Sequence, residues 1–263
     1  MEHLEAVMGN SFGKAAVIDF SIQWALWAVA AIFKTEKFYD LAGSGTFLYL
    51  AYQTLKWGGT YFTRQKVTTG LVMTWAARLG LFLFTRVLKE GKDSRFDKVK
   101  GRPGMFWIYW TIQGMWIFTT LLPLFVLNNK KEDKPLCTRD YVGWGLWALG
   151  FLFETIADYQ KSAFKGNPDN AGKFITTGLW SISRYPNYFG EICMWLGIFI
   201  SSTSAMTEPV EYGSVISPLF VIFLLLRVSG IPLQERQQMK RWGDNPLFKD
   251  YVRKTAKLIP FIW

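Results

Sequence analysis

The chain has 263 residues, half of them apolar and 17% aromatic, with 30 Lys and Arg against 20 Asp and Glu. So much Trp and Phe, gathered in long apolar runs, argues against an ordinary soluble or disordered chain and for a polytopic membrane protein of one domain. One histidine, His3, and two cysteines, Cys137 and Cys193, leave almost no material for histidine triads, zinc centres or a disulfide framework.

The N-terminal stretch MEHLEAVMGNSFGK lacks a basic region followed by an apolar core and a small-residue cleavage site, so no signal peptide is expected and the mature chain is read from Met1. Apolar runs near 16–33, 41–57, 70–88, 104–127, 141–157, 188–205 and 214–233 predict an all-α bundle of about seven transmembrane helices. The second run is the weakest because Gly43, Gly45, Gln53 and Lys56 interrupt it, which leaves a six-span count open. With seven spans, Lys34 and Lys37, the cluster between Lys89 and Arg102, the 158–187 loop and the tail beyond Leu233 share one side. That side carries most of the basic residues, so it and the C-terminus are expected in the cytoplasm. Lys56, Arg86 and Arg227 lie where their stems can snorkel, whereas Arg78 falls near mid-span and needs a partner or a polar cavity.

The stretch GWGLWALG at 143–150 has the wrong spacing for a dinucleotide glycine fingerprint and follows no strand, so its glycines read as close helix packing. There is no GxxxxGK[ST] loop, internal repeat or low-complexity linker, and the basic excess lacks a nucleic-acid-binding context. Anionic head groups or an anionic cofactor explain that excess better.

The charges of the C-terminal half form a pattern. Glu154, Asp158, Lys161 and Lys165 are spaced four, three and four apart, one face of a helix with acid toward the membrane and base toward the cytoplasm. A turn at Gly166, Asn167 and Pro168 leads to Lys173 and then to GLWSISRYPNYFGE at 178–191, which sets Ser183, Arg184, Asn187 and Glu191 against the apolar run that follows. Asn187 and Glu191 are an i, i+4 pair at the start of the sixth span, and Pro186 opens that helix with free backbone donors that favour anions. Lys and Arg suit phosphates, while carboxylates and amides suit ribose hydroxyls, a carboxamide or an adenine amine. The set fits a large phosphorylated nucleotide entering a membrane-embedded pocket from the cytoplasm.

GLWSISRYPNYFGE, ADYQKSAFKGNPDNAGKF at 157–174, DSRF at 93–96 and KLIPFIW at 257–263 resemble the steroid 5-alpha-reductase superfamily, and its DUF1295 branch in particular, over about residues 70–263. The resemblance implies a seven-helix enzyme that binds NADPH and passes a hydride to an activated carbon–carbon double bond of a lipid or sterol-like substrate. It implies cofactor contacts at Asp158, Lys165, Lys173, Asn187 and Glu191, further contacts at Glu154, Tyr188 and Arg227, and a covering loop that carries Arg95. Conjugate reduction also needs a donor at the carbonyl oxygen. Where the family has a Glu on the second span and a Tyr on the third, this chain has Gln53 followed by Thr54, and Trp75. Those departures count against 3-oxo-steroid reduction and leave Tyr52, Gln53 and Arg78 as candidate polarising groups, with helix packing the competing reading for the first two and packing the expected role of Trp75.

Two other classes stay open. Arg184, Pro186, Tyr188 and Glu235 can be read as an S-adenosylmethionine site of a membrane methyltransferase, although Tyr185 stands where such motifs carry histidine. A non-catalytic subunit of a membrane complex is the other, with Trp107, Trp110, Trp116, Trp144 and Trp147 facing lipid or a partner helix. The expected location is an integral membrane one, in the endoplasmic reticulum for a eukaryotic source or the inner membrane for a bacterial one. The tail from Leu258, which ends in no retrieval signal, is expected to dock against the membrane or the cofactor cavity.

Overall fold

The computed structural model describes residues 10–262, so His3 and the start at Met1 lie outside the described residues. All regular structure in that range is helical. The helices are α1 (Ser11–Ile32), α2 (Tyr39–Gly58), α3 (Thr63–Glu90), α4 (Pro103–Asn128), α5 (Thr138–Gly166), α6 (Pro186–Thr203), α7 (Ile216–Phe223), α8 (Ile231–Trp242) and α9 (Pro246–Lys254). Four stretches are long and apolar enough to cross a membrane: Ser11–Ile32, Thr63–Lys89, Pro103–Asn128 and Pro209–Trp242. Exposed Ile32, Leu81, Leu152 and Phe223 give the surface the apolar character that lipid demands. This is the architecture of an all-α integral membrane protein.

Local signals set the helix ends. Asn10 caps α1 by accepting from the Phe12 amide at 2.9 Å, and Asn245 caps α9 by accepting from Leu247 at 2.9 Å. Pro103, Pro186 and Pro246 each stand at the first helical position, where the missing N–H costs nothing. The interruptions noted in the second apolar run do not break α2, because Gly43 gives room to the Gln113 side chain and Gln53 and Lys56 sit half-buried and exposed along one continuous helix.

The chain divides into two compact units, Met1–Cys137 with Ser202–Ser217, and Thr138–Ser201 with Pro218–Trp263. The first is organised by α1 to α4. Trp75 is 1% exposed and meets Phe47 and Trp116 edge-on, so it is a packing residue. Trp110 is fully buried against Phe38, Tyr39 and Phe106, which removes it from any lipid or partner surface; Trp107 remains exposed. Arg64, which reads from the sequence as a loop charge, is buried at the start of α3. Its guanidinium donates to Asp133 at 2.9 Å and to the Lys134 and Pro135 carbonyls at 3.2 Å.

The second unit comprises α5 to α9, apart from the ends of α6 and α7 that fall in the first. A π-helical turn, Leu224–Val228, extends α7. Trp147 is buried here and stacks on Phe151 at 4.9 Å, so it too belongs to the interior.

Candidate functional site

The second unit is registered by four glycines. A Cβ on Gly143 of α5 would lie 2.6 Å from the Gly197 carbonyl of α6, and one on Gly150 would collide with the Gly190 carbonyl and come within 2.9 Å of the Met194 amide. Each pair is seven residues from the next on both helices, so α5 and α6 run antiparallel with their backbones touching. This close approach carries the acidic face of α5 onto the first turns of α6. Glu154 and Asp158 are 4% and 7% exposed, and Asn187 donates to Asp158 Oδ1 at 3.2 Å. One turn along, Glu191 accepts the Trp195 indole N–H at 2.9 Å.

The segment before α6 is fixed to α5 by local chemistry. Gly178 has φ +62°, a left-handed conformation that suits glycine, and any side chain there would strike Gln160. The turn lets the Leu179 amide donate to Gln160 Oε1 at 2.9 Å and the Trp180 indole to the Ala157 carbonyl at 3.0 Å, while Lys161 lies 4.8 Å over the Trp180 ring. The tail then runs alongside. Ser183 Oγ donates to the Leu258 carbonyl at 2.7 Å, and the Arg184 amide donates to the Ala256 carbonyl at 2.9 Å. The GLWSISRYP and KLIPFIW segments are therefore two sides of one junction.

Arg184 is 13% exposed in its side chain and lies 3.5 Å from Glu235, which also holds Lys257 at 3.0 Å. Tyr188 stacks on Tyr185, whose phenol burial, with Glu235 nearby, pushes above its usual pKa. Among the described residues, Arg184 Nε and Asn187 Oδ1 are buried without a hydrogen-bond partner. Buried polar atoms are rarely left so, and these two leave hydrogen-bonding capacity at the start of α6.

Lys165 and Lys173 come together in a cavity of about 430 Å³, lined also by Phe164, Asn170, Gly172, Arg241 and Trp242. Its volume falls in the range of small-molecule sites. Among the described residues that line it there are three cations and no carboxylate. Arg241 and Trp242 escape sequence reading because they lie some 70 residues beyond the loop they meet; the one signal is a Lys-Arg-Trp run at the end of an amphipathic segment. Lys165 is seven residues beyond Asp158 on α5, about 10 Å along the axis at the usual helical rise. Arg227, on the π turn, is exposed and does not line the cavity.

The remaining candidates belong to the first unit. Tyr52 is half exposed and Gln53 half-buried on α2. Arg78 places its guanidinium 5.5 Å from the Phe82 ring one turn along α3. Thr54 is buried, donates to the Leu50 carbonyl at 2.9 Å and accepts from Asn128 at 3.1 Å. Arg95 donates from Nε to both Asp93 oxygens at 3.0 and 2.8 Å, and from Nη2 to both Asp40 oxygens at 3.0 and 2.8 Å. Arg86 stands 3.6 Å from each of the same carboxylates. Burial alone would raise the Asp93 carboxyl, but the Arg95 guanidinium outweighs it and holds the group below the usual carboxylate range.

The sequence is similar to several known proteins. The Delta(14)-sterol reductase of Arabidopsis thaliana is 25% identical over 200 residues, 67% of this chain and 48% of that protein. The 3-oxo-5-alpha-steroid 4-dehydrogenase 1 of Macaca fascicularis is 28% identical over 125 residues, 48% of this chain and 42% of the relative. The "Probable O-methyltransferase ustE" of Ustilaginoidea virens is 32% identical over 79 residues, 30% and 26% of the two chains. The chain thus spans less than half the length of these relatives. No solved structure matches. The family described as "Protein of unknown function (DUF1295)" matches residues 26–255, and the chain belongs to this steroid-reductase-related family.

Proposed function

We propose that the chain is a membrane-embedded, NADPH-dependent reductase of a carbon–carbon double bond in a lipid or sterol-like substrate. The observation that carries the reading is the cation-lined cavity. Lys165 and Lys173 line it together, two turns along α5 from a buried cluster of carboxylates and an amide. An extended dinucleotide needs that sequence of groups, with cations at its phosphates and carboxylates or amides at its ribose and carboxamide. The two orphaned polar atoms at Arg184 and Asn187 fit the same ligand. The likeness to relatives named as sterol and steroid reductases supports the reaction class.

When bound, NADPH would supply the hydride. Lys165 and Lys173 bind phosphate, and Arg184 contributes from the approach to α6. Asn187 offers its free carbonyl oxygen, and Asp158, Glu191 and Glu154 accept from hydroxyl or amide donors; Tyr188 and Arg227 contribute at the margin. Arg95 acts through the loop that it anchors. The donor that polarises the substrate oxygen comes from Tyr52, Gln53 or Arg78. On this reading α1 to α6 and the apolar stretch through α7 make seven spans, with the C-terminus in the cytoplasm and the location set by the source, endoplasmic reticulum or bacterial inner membrane.

A second reading has a specific observation behind it. Arg184 and Glu235 meet at 3.5 Å with Tyr188 nearby in sequence, as an S-adenosylmethionine site would require, and one relative is named as an O-methyltransferase. A cavity lined by three cations favours the multiply phosphorylated ligand over a sulfonium. The test is a thermal-shift titration of detergent-purified protein with NADPH, NADH and S-adenosylmethionine side by side, since a ligand of the folded state raises apparent stability by mass action. Stabilisation by NADPH is expected. A response to S-adenosylmethionine alone would replace reduction with methyl transfer, and silence to all three would favour a non-catalytic subunit.

A further inference from the structure

We propose that the outer face of α8 is a docking surface for anionic phospholipid head groups, and that this contact steadies the turn before α6 through the inner face of the same helix. The inference stands apart from the nucleotide reading. Only Ser229 and Gly230 separate the π turn Leu224–Val228 from α8, so the helix begins at the edge of an apolar stretch long enough to cross a membrane. The chain bends at that point. Gly230 has ψ −100°, outside the helical range, and any side chain on it would strike the Leu225 carbonyl.

The helical repeat sorts the residues of α8 into two faces. Ile231, Glu235, Gln238 and Trp242 share the inner one. Ile231 is buried, Glu235 lies 3.5 Å from Arg184 and 3.0 Å from Lys257, Gln238 accepts from the Tyr185 hydroxyl at 3.4 Å, and the Trp242 indole donates to the Gly172 carbonyl at 2.6 Å. The opposite face brings out Leu233, Arg236 and Lys240, with Met239 at its flank, all four exposed and none of them acidic. The neighbouring helix spends its charges differently: on α9, Arg253 and Lys254 are both held by Asp250 at 2.7 Å. A short helix at the end of a span that shows apolar and basic side chains together suits the head-group layer, where Leu233 and Met239 reach between lipids and the stems of Arg236 and Lys240 snorkel to the phosphates. A protein partner would have to bring an acidic surface of its own, whereas the bilayer is already beside the end of the span.

Full-length protein would be placed in nanodiscs of phosphatidylcholine alone or mixed with phosphatidylglycerol, and amide hydrogen exchange read over 231–242. Three forms are compared: wild type, the double variant Arg236→Gln with Lys240→Gln, and the double variant Arg253→Gln with Lys254→Gln. A cation near an anionic surface is worth about a fivefold change, so the two on α8 should slow wild-type exchange in the anionic discs by about twentyfold. The α9 variant should be slowed as much, and the α8 variant should not respond to the lipid. High salt should erase the wild-type effect, an arm that needs no variant to fold. Exchange over 182–187 should slow along with α8, and no change there would overturn the link to α6. Equal wild-type exchange in the two discs, slowing that survives in the α8 variant, or equal losses in both variants would overturn the docking surface. Slowing seen in native membranes but in neither disc would give the face to a protein partner and overturn it as well.

Discussion

Two charged regions of this molecule use the same residue types to opposite ends. Around the start of α2, Arg95 and Arg86 face Asp40 and Asp93, and Lys100 meets Glu36 at 2.9 Å, so each cation has its counter-charge within the fold. At the ends of α5 and α8, Lys165, Lys173 and Arg241 line a hollow with no carboxylate among the described residues of its wall. The first arrangement holds a loop in place. On the proposed function the second binds the phosphates of the ligand. Counting basic residues between spans cannot separate them, because the distinction lies in which distant segments each charge meets.

The severest way to break the second region is to attack its frame. Gly150→Leu drives a side chain into the α6 backbone, and the unit should lose more than about 4 kcal/mol, into the range where folding itself fails. Limited proteolysis of the detergent-solubilised variant should show cleavage within 138–201 that wild type resists.

Arg95→Ala breaks the first region instead, leaving two carboxylates that are 8% and 11% exposed with only Arg86 nearby. Arg95 is half exposed, so a loss of about 2 kcal/mol is expected rather than the full cost of a severed buried pair. A lowered melting temperature in ligand-free protein would register it.

Lys173→Glu sharpens the contrast from the other side. Melting temperature should stay within about 0.5 kcal/mol of wild type, as for an exposed surface change, while NADPH affinity falls at least about tenfold. A stability loss with unchanged affinity would place Lys173 with the paired charges after all.

The gentlest probe is acid. Because the Asp93 carboxyl is held below its ordinary value in the folded state, its stabilisation is complete above the unfolded carboxylate pKa and is lost as pH falls through the lowered folded one. Melting curves of wild type and Asp93→Asn, taken from about pH 6 to about pH 3, should therefore converge at the acid end.

Much of this was legible in the chain. Apolar runs foretold the helices, and four-three-four spacing placed Glu154, Asp158, Lys161 and Lys165 along α5, because helical periodicity is a local property. Gly143 and Gly150 of GWGLWALG read correctly as packing positions, although their partners on α6 did not, and Gly145 faces open space. Arg64 was unreadable as a buried residue, since its counter-charge Asp133 lies 69 residues further along the chain. Trp110 could not be told from a surface aromatic, because a helix apolar on every side gives no inward face to read. Arg241 and Trp242 were invisible for the same reason as Arg64: a cavity made by three distant segments has no sequence spacing.

The paired glycines of α5 and α6 carry one more consequence. Two pairs at equal intervals act as a vernier, so that sliding either helix by a single residue replaces both near-contacts with collisions. Interlocking of that kind relies on van der Waals fit between backbones and not on the surrounding solvent. The α5–α6 half should therefore keep its alignment when lipid is exchanged for detergent, and a purified micelle is a fair place to test the proposed ligand.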